Sequence, residues 1–118
     1  MRFIVMVKAT KDSEAGVLPS QELLTAMGKY NEELVKAGIM VAGEGLHPSS
    51  KGARVRFSGN KRTVIDGPFA ETREHLGGYY VIEAKDLDEA ISIAERVPPV
   101  KYGTVEIRPV MEIEGLPS

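Results

Sequence analysis

The chain has 118 residues, 42% of them hydrophobic and 27% charged, the make-up of a single globular domain over residues 1–118. Fifteen basic against seventeen acidic side chains leave a formal charge of -2, which speaks against nucleic-acid binding by phosphate neutralisation and against a membrane-surface role. The absence of cysteine excludes a disulfide scaffold, a thiolate nucleophile, a Cys-ligated zinc and an iron–sulfur cluster. No apolar stretch approaches the ~20 residues of a membrane span. A strand pattern begins at once, so no signal peptide is expected and a cytoplasmic location follows.

Arg2 to Ala9 is short, apolar and rich in β-branched residues, as a buried strand is. Lys11 to Pro19 is polar and reads as a loop. Ser20 is placed to cap a helix to about Ala37, closed by Gly38. Leu23, Met27, Tyr30 and Leu34, flanked by Leu24 and Val35, form its apolar stripe. Ile39 to Ala42 is a second strand, and Gly43 to Gly52 a break. Ala53 to Phe57 and Arg62 to Ile65 flank a Gly59-Asn60 turn as the arms of a hairpin. Gly77 to Ala84 is a strand. Asp86 caps a second helix with an apolar stripe of Leu87, Ala90, Ile91, Ala94 and Val97, stopped by Pro98-Pro99. Thr104 to Val110 alternates as a last strand.

This order is β-α-β, a hairpin, then β-α-β: an α+β, ferredoxin-like split β-α-β pattern with an inserted hairpin. Two helices cover one face of such a sheet. The first strand is nevertheless apolar on both, with Phe3, Val5 and Val7 on one side and Ile4 and Met6 on the other. A second copy packed sheet to sheet is the simplest cover, and a homodimer is expected.

Familiar catalytic motifs are missing. Gly43-Glu44-Gly45 meets Pro48 where a dinucleotide fingerprint needs its third glycine. His47 and His75 lack zinc-type spacing; Glu44, Glu71 and Glu74 could join Asp66 as ligands of a hard cation, but no ligand spacing supports that, and neither a metal nor another cofactor is expected. Polar residues collect instead at strand ends: Glu44, His47, Asp66, Glu71, Arg73, Glu74 and His75. Asp66, pinned by Gly67 and Pro68, suits a general base, or a turn that bonds its own backbone. His47 suits proton transfer near neutral pH, or is an exposed loop histidine. Arg56 and Arg108 could anchor a substrate carboxylate or pair with Glu106 or Glu44. Tyr79 and Tyr80 point to opposite faces, one to the core and the other to line a cleft. Glu71 and Glu74 complete the candidate substrate-binding set.

Asp66-Gly67-Pro68-Phe69, continued from Ala70 to Tyr80, resembles the signature of the DGPF branch of the YCII-related family. Gly43-Glu44-Gly45-Leu46 and Val105 to Pro109 are similar to that branch too, so the resemblance spans nearly the whole chain. It implies a dimeric α+β barrel of ferredoxin-like subunits. The wider superfamily includes muconolactone isomerases and small monooxygenases, and some members resemble dehalogenating enzymes. The implied activity is acid–base chemistry on a small cyclic or aromatic metabolite. Several relatives carry a His/Asp pair with the His early in the first helix. Here Gln21, Glu22 and Leu23 stand at that point, so the pair does not carry over, and Asp66 is the residue retained by motif match. Some branch members resemble partners of sigma factors, which implies a non-catalytic dimer binding a ligand or protein as the alternative.

Overall fold

The computed structural model describes residues 1–69, 76–98 and 104–112. Its elements are β1 (Arg2–Lys8), α1 (Lys11–Glu14), α2 (Gln21–Lys36), β2 (Met40–Gly45), β3 (Ala53–Ser58), β4 (Lys61–Asp66), β5 (Leu76–Glu83), α3 (Leu87–Ala94) and β6 (Val105–Pro109). Four strands form one sheet in the order β2-β5-β1-β6, and β3 and β4 form a separate hairpin. Every neighbouring pair in the sheet is antiparallel. β1 and β2 are therefore parallel with β5 between them, and β5 and β6 are parallel with β1 between them. Each such pair is joined through a helix, the split β-α-β arrangement the element order predicts.

Local chemistry sets most boundaries. Ser20 Oγ accepts from the Leu23 N–H at 3.1 Å and Asp86 Oδ1 from the Glu89 N–H at 2.9 Å, each satisfying one orphan donor of a helix start. Gly38 follows α2 with φ at +70°, where a side chain would be strained, and the Ile39 N–H returns to the Leu34 carbonyl. Gly59, at φ +59°, turns the hairpin.

Both helices cover the same face of the sheet. Phe3 and Val5 of β1 and Tyr80 and Ile82 of β5 pack with Tyr30 and Leu34 of α2 and Ala90, Ile93 and Ala94 of α3. The Tyr30 hydroxyl donates to the Ile93 carbonyl at 3.1 Å, tying α2 to α3. Burial pushes the Tyr30 phenol up to about 12, so it stays protonated and able to donate this bond. The opposite face carries Ile4, Met6, Ala42, Tyr79 and Val81 at its centre. No described helix lies over it.

Four expectations need correcting. The first of them is the loop from Lys11 to Pro19, which contains the helical turn α1. Thr10 and Ser13 cap it reciprocally, a box with serine in the place usually held by Glu or Gln. The second is β2, which continues through Gly43 to Gly45 because β5 supplies a ladder partner up to Gly78. The third is the flank of α2, where Leu24 and Val35 stay exposed. The fourth is α3, which turns Ile93 inward and leaves Leu87 and Ile91 exposed. Its hydrogen bond from Tyr30 to the Ile93 carbonyl accompanies that rotation. No described helix is long and apolar enough to cross a membrane.

Candidate functional site

A cleft of about 380 Å³ opens between α2 and the end of the sheet, within the size range of small-ligand sites. Leu23, Met27 and Asn31 of α2 form one wall, at i, i+4 and i+8 on a single helix face. Val7 and Tyr80 stand across from them, and Ser13 of α1 with Pro19 lies at the rim.

Its floor is glycine. Gly43 and Gly45 of β2 and Gly77 and Gly78 of β5 all border the cleft, and Gly45 pairs directly with Gly78. At Gly43 a Cβ would lie 2.9 Å from the Tyr80 ring, and at Gly78 it would lie 2.9 Å from the Glu44 carbonyl oxygen, so crowding excludes a side chain at both. A Cβ on Gly45 would meet nothing within 4 Å. Gly45 shares the core-facing side of β2 with Gly43, so its missing side chain is the hollow itself.

Among the described residues the polar groups of the cleft are few. Asn31 Oδ1 is shut off from solvent and has no hydrogen-bond partner among the described residues. Ser13 is satisfied, its hydroxyl donating to the Thr10 carbonyl and accepting from the Thr10 N–H. Tyr80 makes no hydrogen bond to the described residues, and its ring meets Tyr30 edge-on at 5.7 Å between centroids. Burial raises its phenol above the ordinary tyrosine range. Lys8 and Glu44 also border the cleft. Their strand neighbours face the core, so alternation sends both side chains to the other side of the sheet, where Lys8 Nζ lies 3.5 Å from Glu106.

A clasp of hydrogen bonds closes the rim beside Ser13. The Glu14 carboxylate, at the end of α1, accepts from both the Ser49 N–H and the Ser49 hydroxyl. Ser49 Oγ in turn accepts from the Phe69 N–H at 3.1 Å, and the Gly67 N–H donates to the Gly52 carbonyl at 3.0 Å. The Arg54 guanidinium lies over the Phe69 ring at 3.9 Å. The Gly67-Pro68-Phe69 turn thus holds the hairpin to the 46–52 loop and, through Ser49, to α1.

Of the residues singled out from sequence, Tyr80 faces the cleft, and it is the core tyrosine as well; Glu44 and Tyr79 border the cleft on the strands but lie at register positions that turn their side chains to the helix-free face. Asp66 ends β4 opposite Ala53 and is exposed, and His47 is exposed in the loop after β2; neither lines the cleft. Arg56 is exposed on the hairpin opposite Thr63. Arg108 lies on the helix-free face of the sheet, 4.0 Å from Glu106. Glu71, Arg73, Glu74 and His75 fall outside the described residues. Sequence reasoning missed Leu23 and Met27 as cleft residues, Asn31 and the glycine floor. The available signal was the pair of glycine doublets at the ends of two strands, where glycine commonly marks close approach of a ligand or backbone.

Residues 1–114 match the model of the YCII-related domain. An uncharacterised protein of Rhizobium meliloti (strain 1021) is 33% identical over 92 residues, which cover 76% of this chain and 74% of that protein.

Proposed function

The chain belongs to the YCII-related family, and on that premise we propose that it is a homodimeric domain holding a small cyclic or aromatic metabolite in the cleft between α2 and the sheet. The observation that carries this reading is the glycine floor. Four glycines in two paired strands border the cleft opposite Leu23, Met27 and Asn31, leaving space for a small ring between helix and sheet. Titration with phenol, followed by amide chemical shifts, tests it. Shifts at Gly43, Gly45 and Gly78 are expected at millimolar phenol. They should vanish in Gly45→Leu, whose side chain enters open space and leaves the fold intact. No shifts in the wild type would end this reading.

A second reading, an acid–base reaction with Asp66 as base and His47 as acid, concerns the part of a bound molecule that projects from the cleft to its rim, and one feature of the rim favours it. The loop carrying His47 is bonded to the cleft at Gly77, through the Leu46 N–H at 2.8 Å, and to the Asp66 turn through Gly67. Asp66→Asn should then abolish turnover while the melting temperature holds. A folded mutant that still turns substrate over would remove Asp66 from the chemistry. Binding without any turnover would favour the non-catalytic, partner-binding alternative, a sigma factor being the partner class implied by the resemblance.

The second face of the sheet supports the homodimer. Ile4, Met6 and Val81 are bordered by Arg2, Lys8 and Arg108 and by Glu44, Glu83 and Glu106. A rim of mixed sign around an apolar centre is self-complementary across a twofold axis. Light scattering is expected to give twice the 12.8 kDa chain mass for the wild type and the single chain mass for Met6→Glu. A wild type at 12.8 kDa would refute the dimer.

A further inference from the structure

The polar groups of the cleft narrow what it accepts, given the reading above that the cleft is a ligand site. Among the described residues its charged neighbours, Lys8 and Glu44, turn to the other side of the sheet, so an ion entering the cleft would lose its hydration without gaining a partner from them. The remaining walls are Val7, Leu23, Met27, the Tyr80 ring and backbone glycines. Two groups there lack hydrogen-bond partners among the described residues: the Asn31 carboxamide oxygen, which is also dry, and the Tyr80 hydroxyl.

A buried carbonyl without a donor is a standing cost to the fold. The carboxamide torsion of asparagine is soft, so the oxygen can swing toward the cleft that the same residue lines. An alcohol or phenol group carries one O–H to give and lone pairs to receive. It therefore matches an unpaired acceptor on Asn31 and an unpaired hydroxyl on Tyr80 at once. An ether or a bare hydrocarbon leaves Asn31 unsatisfied, and a carboxylate brings a charge that no described residue of the cleft meets.

We propose that the cleft selects an uncharged, ring-sized molecule bearing a hydroxyl group, which donates to Asn31 and accepts from Tyr80. The selection is for one neutral hydroxyl in an apolar envelope.

The test compares phenol, toluene and benzoate on the full chain by amide shifts. The wild type should bind phenol roughly tenfold more tightly than toluene, the scale of one buried hydrogen bond, and benzoate should not compete. Asn31→Leu, which nearly conserves volume, should erase the preference for phenol. Tyr80→Phe keeps the buried ring and should reduce it, and decides the matter if Asn31→Leu does not fold. Toluene binding as well as phenol, with Gly45→Leu still blocking both, would overturn hydroxyl selection while leaving the cleft as a site. Phenol binding that survives Gly45→Leu, or no binding of any probe, would overturn both.

Discussion

Phe3→Ala is expected to destabilise the fold by about 3–5 kcal/mol. Phe3 is 1% exposed and lies in the second strand from the sheet edge, paired with Ile82 on one side and Pro109 on the other. Its ring belongs to the cluster that Tyr30 and Leu34 bring from α2 and Ala90, Ile93 and Ala94 from α3. Truncation removes its contacts to this cluster, and the backbone ladders on both sides of β1 prevent the sheet from collapsing into the cavity. A domain of this size has a total stability of about 5–15 kcal/mol, so the mutant sits near the edge of folding. Urea unfolding followed by circular dichroism measures the loss as a shift of midpoint at unchanged slope. A loss below about 1 kcal/mol would mean that the core relaxes around the gap and that Phe3 is not its centre.

Gly67→Ala should release the hairpin. A Cβ at Gly67 would lie 1.7 Å from the Ser49 carbonyl oxygen and 2.5 Å from its carbon, a backbone collision that no rotamer relieves. The turn must move away. The Gly67 to Gly52 and Phe69 to Ser49 hydrogen bonds are the ones at risk, together with the seat of the Phe69 ring under Arg54. Two lost hydrogen bonds and the strain put the local cost at roughly 2–4 kcal/mol. Because the hairpin pairs only with itself and is exposed along nearly its whole length, the effect should be regional. Amides of β3 and β4 should exchange faster, and a protease should cut in the 46–52 loop, while β1 and β5 keep their protection. Unchanged exchange in the hairpin would show that the turn does not bear on Ser49. Because the clasp reaches Glu14 beside Ser13, phenol binding in the cleft should also weaken in this mutant.

Most of the architecture was legible because it rests on interactions within a few residues. Ser20 and Asp86 cap helices three residues downstream, Gly38 and Gly59 take positive φ where a turn needs it, and the alternation in β1 gives one face for Phe3 and Val5 and another for Ile4 and Met6. The α1 turn escaped notice because its box uses Ser13 as the reciprocal partner. The end of β2 escaped because glycines read as a break until β5 is there to pair with them.

The cleft and its clasp lie beyond that reach. Glu14 meets Ser49 across 35 positions and Ser49 meets Phe69 across 20, and no periodicity announces either contact. The inward turn of Ile93 over Ile91 likewise depends on how α3 packs and on where the Tyr30 hydroxyl finds a carbonyl. By itself the sequence determined the order of elements, the two-sided first strand and the family to which the chain belongs, since caps, turns and hydrophobic alternation are local. Only the tertiary structure decided that Asn31 and four glycines share one hollow and that the Gly67-Pro68-Phe69 turn latches its rim. A cavity is made by side chains that are missing from facing elements, and such an absence has a place only when the chain is folded.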